Sequence, residues 1–249
     1  PPFVRIKSIM EPLEILVLGG NGFIGKQVVR DLLTRGHKVR VFTKSLKNAS
    51  EHNTQASYYI GDFGNMAAVN TALQGVDLVI HLISTTTPST AAANPRHDVE
   101  TNLLYTLSLL EAMASNRVKS LIYVSSGGTV YGIPSNVPTS ENEHLDPICS
   151  YGITKVAIES FVRMYSRQYG MTTTILRPSN PYGPGFKNSL HQGVIGSFFT
   201  KIAKKQPIEI WGDGTSIRDY IFVNDFSDLC CKCALTSKGG TFNVSSGIG

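Results

Sequence analysis

Four consecutive apolar residues, Ile15 to Leu18, predict a strand buried on both faces, since a strand with one wet face would alternate apolar and polar positions. Glycines follow at positions 19, 22 and 25, and from Lys26 to Thr34 apolar residues recur at the period of an amphipathic helix. Gly36 offers that helix a C-cap, and Lys38 to Phe42 predicts a second strand. The same alternation continues. Tyr58 to Ile60 reads as a strand, Met66 to Leu73 as a helix ended by Gly75, and Asp77 to Ser84 as a fourth, buried strand. A loop rich in threonine, serine and alanine, Thr85 to Pro95, leads to a long helix from Arg96 to Ala114 and a strand from Val118 to Ser125. A helix opening at Tyr151 runs to Tyr169, where Gly170 stops it, and residues 172–177 form the next strand. Beyond Ser179 the prolines and glycines of PSNPYGPG interrupt the alternation. A helix over Gly193 to Lys204, a β-rich run, and a helix capped by Asp225 follow. Apolar strands separated by helices predict an α/β fold with a doubly wound parallel sheet.

Composition narrows the partners. The 249 residues, 41% of them hydrophobic, suffice for one large domain or a domain with a lobe. A net charge of +5 without a basic run interleaved with aromatics argues against nucleic acid and fits a basic cleft for a small anion. No stretch approaches the roughly 18 apolar residues of a membrane span, so no membrane partner is expected. The first ten residues lack the apolar core of a secretory leader, Pro1 to Ile9 read as an appendage, and the expected location is cytoplasmic. Of the four cysteines, Cys230, Cys231 and Cys233 share one predicted helix at a spacing that matches no zinc site, so they read as thiols on a partly buried helix and no metal is expected.

The glycine turn carries chemistry. In a strand-turn-helix setting Gly19 permits a tight turn, Gly22 lets backbone approach a pyrophosphate, and Gly25 lets the helix pack closely, with the positive end of the helix dipole facing the phosphates. A dinucleotide turn of this kind usually has an acidic residue at the end of the second strand to hold the ribose hydroxyls. Thr43 and Lys44 stand there instead, which admits NADP beside NAD; a solvated loop is the alternative. Asp62 could accept from an adenine amino group or cap a helix. His81, alone on an apolar strand, reads as a core residue. Asn102, unfavourable in mid-helix, has either a specific bond to make or an exposed face. Tyr151 and Lys155 fall on one helix face, where a neighbouring ammonium favours phenolate over phenol. Arg218 is either in a surface ion pair or a fork for a diphosphate.

Together these motifs resemble the extended short-chain dehydrogenase/reductase superfamily and, within it, the NAD-dependent epimerase/dehydratase family, near its UDP-glucose (UDP-galactose) 4-epimerases. The resemblance runs from Glu14 to the end of the chain. It implies a Rossmann domain over 11–178 and, over 179–249, a mainly substrate-binding lobe interleaved with Rossmann elements, which family members continue past Gly249. GGNGFIG matches the dinucleotide turn, so the resemblance implies cofactor contacts at Gly19, Gly22, Phe23, Ile24 and Gly25, then at Thr43, Lys44, Asp62, Phe63, Leu82, Ser84, Tyr151 and Lys155. It implies a catalytic set of Asn102, Ser126 or Thr129, Tyr151 and Lys155, and substrate contacts at Ser126, Tyr151, Asn180 and Arg218. The implied activity is 4-epimerisation of a UDP-hexose, glucose/galactose or the N-acetyl forms. It proceeds by oxidation of the C4 hydroxyl and return of the hydride, with NAD as cofactor, NADP as alternative, and a homodimer as the expected assembly.

Two positions depart from the family pattern. Gly127 lies where the family carries its catalytic hydroxyl, leaving Ser126 and Thr129 as candidates, and no acidic residue precedes Lys44. Gly128 and Thr129 replace the acidic pair of the family's dehydratases, which argues against elimination. The alternatives are a nucleotide-sugar reductase and a non-catalytic dinucleotide sensor.

Overall fold

The structure, a computed structural model, describes residues 11–46, 53–185, 193–210, 212–236 and 239–249. The first ten residues and most of the polar loop after Thr43 therefore lie outside the described residues. Seven parallel strands form one sheet in the order β3-β2-β1-β4-β5-β6-β9. They are β1 (Glu14–Leu18), β2 (Lys38–Thr43), β3 (Ser57–Ile60), β4 (Leu78–His81), β5 (Ser120–Val124), β6 (Thr172–Pro178) and β9 (Gly240–Val244). The order reverses at β1, so the carboxyl ends of β1 and β4 open onto a crevice, the place where such sheets hold ligands. A separate parallel pair, β7 (Asn180–Tyr182) and β8 (Tyr220–Phe222), stands beyond the end of β6.

Alternate residues of each strand feed two cores. Leu16 and Leu18 join Leu121 and Tyr123 against α2 (Met66–Leu73), α5 (Tyr105–Ser115) and α6 (Ser150–Tyr169). Ile15 and Val17 join Ile122 and Val124 on the opposite face, against α1 (Phe23–Thr34) and α8 (Val223–Ala234). That is why the strands read as unbroken apolar runs. The residues beyond 178 include α7 (Val194–Ala203); α8 and β9 complete this sheet layer, and Ile221 of β8 packs into the same core.

Helix ends follow local chemistry. Gly36, at φ +84°, lets its own N–H bond Leu33 O and that of His37 bond Leu32 O, closing α1 as a Schellman motif. Gly170 ends α6 in the same left-handed conformation. Six expectations need correction. The strand over Asp77 to Ser84 stops at His81, because the following residues turn toward the crevice, and the strand over Val118 to Ser125 is confined to Ser120–Val124. The loop before the long helix contains α3 (Pro88–Ala93), started by a capping box between Thr87 and Thr90 with Pro88 at its first position. The long helix starts at α4 (Pro95–Asp98), widens to a π-helical segment, Val99–Leu104, and continues as α5. Asp62 does not cap α2, since Asn65 does so by accepting from Ala68 N; nor does Asp225 cap α8, lying within its first turn behind Phe222.

Cys230 and Cys231 are buried against α1, where burial pushes both thiols up, Cys231 to about 11, and Cys233 is half-buried, which agrees with thiols on a partly buried helix. No helix among the described residues is long and apolar enough to cross a membrane.

Candidate active site

At the crevice the glycine turn closes on itself. Gly19 (φ +81°) donates to Phe42 O, and Gly22 N donates to Gly19 O at 3.0 Å. A Cβ at Gly25 would overlap Gly19 O and Gly20 Cα, so only glycine lets α1 approach the turn this closely. Gly22 caps α1 without a side chain and no acidic residue occupies the first turn, where Phe23 and Ile24 stand, so the positive end of the dipole is left for an anion. This cradle fits the pyrophosphate of a dinucleotide.

At the end of β2, Lys44 Nζ pairs with Asp62 Oδ2 at 2.9 Å, and Asp62 Oδ1 accepts from Gly64 N at 2.9 Å. The Gly64 N–H and then the Lys44 ammonium hold Asp62 below the usual carboxylate range. The pair is exposed, so either partner can exchange it for a ligand. Phe63 points inward, its ring 5.1 Å from that of His81, which leaves its backbone rather than its side chain to meet a cofactor. Leu82 is half-buried and Ser84 exposed, both just past the carboxyl end of β4.

Tyr151 and Lys155 occupy the first turns of α6. Lys155 is 4% exposed; its Nζ donates to Val124 O at 3.2 Å and lies 5.1 Å from the ring centroid of Tyr123 and 5.4 Å from that of Tyr151. Burial works against the ammonium, but the phenols of Tyr123 and Tyr151 and the Asp98 carboxylate outweigh it, so the pKa of Lys155 lies above its ordinary value. Burial pushes the Tyr123 phenol up to about 12, against the attraction of the neighbouring Lys155 ammonium. The ammonium therefore lies between the Tyr123 and Tyr151 rings, at similar distances from both.

The neighbouring turn shows why Gly127 departs from the family pattern. Gly127 N donates to Pro178 O at 2.7 Å, and a Cβ there would lie 2.9 Å from Arg177 O and 3.0 Å from Pro178 O. Ser126 is half-buried, and Thr129 Oγ1 is buried with no hydrogen-bond partner among the described residues. The backbone of Thr129 lies against Gly152, next to Tyr151, where any Cβ would overlap its carbonyl.

Asn102 sits in the π-helical segment, 5% exposed. Its Oδ1 accepts from Thr85 N at 2.9 Å, and its Nδ2 donates to Asp98 Oδ1 at 2.9 Å and Thr86 Oγ1 at 3.1 Å. The specific-bond reading is therefore right and the exposed-face reading wrong. The bonds of Asn102 run to the loop after β4 rather than to Lys155. His81 is a core residue: its Nδ1 accepts from Ile83 N, so Nε2 carries the proton to Thr106 Oγ1 at 3.0 Å. Burial, helped by the Lys155 charge, lowers its pKa to about 3.

Asn180 and Arg218, 38 positions apart, line one cleft of about 540 Å³ with Tyr182, Val194, Phe199 and Tyr220. Asn180 Nδ2 donates to Asp219 O at 2.8 Å, and Arg218 Nη1 donates to Ile217 O at 2.8 Å. Arg218 makes no ion pair among the described residues, and Asp219 is taken by the backbone of Ser246 and Gly247, so the surface ion-pair reading fails. Sequence reasoning missed Glu159 and Arg177, a buried pair joining α6 to β6 behind the Tyr151 turn. A glutamate on the apolar face of a predicted helix was the one available signal.

Two relatives and one solved structure are informative. A UDP-glucose 4-epimerase of Mycolicibacterium smegmatis is 31% identical over 245 residues, covering 95% of this chain and 78% of its own. A dTDP-4-dehydro-6-deoxyglucose reductase of Escherichia coli is 33% identical over 243 residues, covering 94% and 76%. The crystal structure of a Thermotoga maritima UDP-glucose 4-epimerase with UDP-glucose superposes with a TM-score of 0.87 at 30% identity, covering 94% of this chain and 77% of that one. The model of the NAD dependent epimerase/dehydratase family matches residues 15–245, from β1 to just past β9, and the chain belongs to that family.

Proposed function

We infer that this protein is a nucleotide-sugar 4-epimerase that interconverts a UDP-hexose and its C4 epimer, the hexose being glucose/galactose or an N-acetyl form. The observation that carries the reading is the Tyr151–Lys155 pair, an ammonium 5.4 Å from a phenol ring at the carboxyl edge of the sheet, beside a phosphate-binding glycine turn. NAD, when bound, supplies the acceptor for the C4 hydride and its return. Gly19, Gly22, Gly25 and the start of α1 would hold its pyrophosphate, and the Thr43–Lys44 and Asp62 region its adenosine. Tyr151 takes the proton from the C4 hydroxyl and gives it back, with the Lys155 ammonium beside its ring. Ser126 or Thr129 bonds the sugar oxygen. Asn102 holds the loop after β4 against the site. Asn180 and Arg218 take the nucleotide end, where a guanidinium suits a diphosphate.

Supplying UDP-sugars with a trace of NAD and separating the products tests this: epimer should form with no net reduced cofactor. The E. coli relative motivates a second reading, nucleotide-sugar reduction, for which cofactor would be consumed one for one with sugar. Exposed apolar residues on α6 and the segment before α5, Ile153 (56%) and Leu104 (48%) among them, support a homodimer, checked by light scattering.

A further inference from the structure

No motif singled out Asp98, yet it is fully buried at the end of α4, and both its oxygens are engaged. Oδ1 accepts from the Thr86 hydroxyl and from Asn102 Nδ2 at 2.9 Å; Oδ2 accepts from Thr154 Oγ1 at 2.7 Å and Ser150 Oγ at 3.3 Å. All four donors are neutral. Burying a carboxylate among neutral donors is a poor way to gain stability, since an apolar side chain of the same size would cost less to desolvate. The geometry says what the carboxylate does instead. Oδ1 gathers the loop after β4 and the π-helical segment, and Oδ2 holds the first turns of α6. Ser150 and Thr154 are four residues apart and so share one face of α6. Tyr151 and Lys155 each follow one of them, displaced by the same step of about 100° around the axis. Fastening residues 150 and 154 therefore sets the angle at which Tyr151 and Lys155 face the crevice. The carboxylate is also one of the charges that keep Lys155 protonated.

We propose that Asp98 is a positioning residue for the Tyr151–Lys155 pair, locking the rotation of the first turns of α6 through Ser150 and Thr154. The inference rests on the epimerase reading for its kinetic consequence and on the hydrogen bonds alone for its structural one. The test uses the full chain with Asp98→Asn, Thr154→Val, Thr154→Ser and the Asp98→Asn/Thr154→Val double variant. Thr154→Val keeps three of the four donors to the carboxylate and so guards against a fold lost in Asp98→Asn.

Both Asp98→Asn and Thr154→Val should lower kcat about tenfold or more while KM for the UDP-sugar and NAD affinity stay within about threefold, since most of the binding contacts, in the glycine turn and at Asn180 and Arg218, lie elsewhere. The double variant should be no worse than the poorer single, and Thr154→Ser, which keeps the hydroxyl, should retain kcat within about threefold. A Thr154→Val protein with kcat within twofold of wild type, or a Thr154→Ser protein as impaired as Thr154→Val, overturns the proposal. Hydrogen exchange needs no substrate: the amides of 154–158 should exchange faster in Asp98→Asn and Thr154→Val, while the far end of α6 is unchanged. Unchanged exchange overturns the proposal even if the wild type proves inert toward every UDP-sugar, a result that would by itself refute the epimerase reading.

Discussion

Replacing Glu159 with Gln tests whether the buried pair behind the site holds α6 to the sheet. Glu159 and Arg177 are 0% and 2% exposed, joined at 3.0 Å (Nε–Oε1) and 2.6 Å (Nη2–Oε2). Ser125 Oγ donates to Oε1 at 2.6 Å and Arg163 Nη2 to Oε2 at 3.0 Å, so the carboxylate faces two guanidinium groups. The Glu159→Gln substitution would keep the shape but leave Arg177 buried without a countercharge, and removing one partner of such a pair costs about 3–5 kcal/mol. For a chain of this size each kcal/mol is worth about 2–4 °C, so Tm should fall by about 6–20 °C at pH 7. The pH dependence has a definite sign. Burial works against the Glu159 charge, but the hydrogen bonds from Arg177 and Ser125 and the two guanidinium charges outweigh it and hold the folded pKa below the ordinary glutamate value. A group so depressed stabilises the fold above its unfolded pKa, about 4.3, and that contribution is lost as pH falls through the folded value. The gap between wild type and Glu159→Gln, followed by thermal melts monitored by circular dichroism, should therefore close as pH drops below about 4. A variant melting within about 2 °C of wild type at pH 7, or a gap that does not narrow in acid, would refute the reasoning.

Tyr151→Phe keeps the ring and removes the transferable proton, so turnover should fall by about 10²–10⁴-fold with UDP-sugar affinity nearly unchanged; full activity would exclude the proposed role of Tyr151. Gly127→Ser restores the family's hydroxyl to a position already in contact with the Arg177 and Pro178 carbonyls. It should lose about 1–3 kcal/mol in urea melts and gain no activity, whereas a stable, faster enzyme would show that the space exists. Lacking an acidic residue at the end of β2 to repel a 2′-phosphate, the protein should bind NADP within a hundredfold of NAD, as Lys44 exchanges Asp62 for the phosphate. Titration with both dinucleotides decides, and a larger preference for NAD counts against the idea.

The sheet, the glycine turn and the Tyr151–Lys155 face were legible in the residues because each is set within one helix turn or one strand. Apolar period, φ-permissive glycines and i, i+4 spacing are local quantities, and local propensity and tertiary packing agree there. What the residues left open depends on contacts between segments distant in the chain. Whether Asp62 caps a helix or meets Lys44 turns on strands β2 and β3 lying side by side, and Asn65, three residues on, takes the cap. Asn102 was read as anomalous for its helix, but its partners Thr85 and Thr86, about 16 positions upstream, are brought to it by the turn after β4. Asp98 and Arg177 carry no local signature, and Glu159 only its place on an apolar helix face, because a buried charge is recognisable chiefly by the donors and countercharges around it. Those come from α6, β5, β6 and the loop after β4 once the sheet has drawn their ends together.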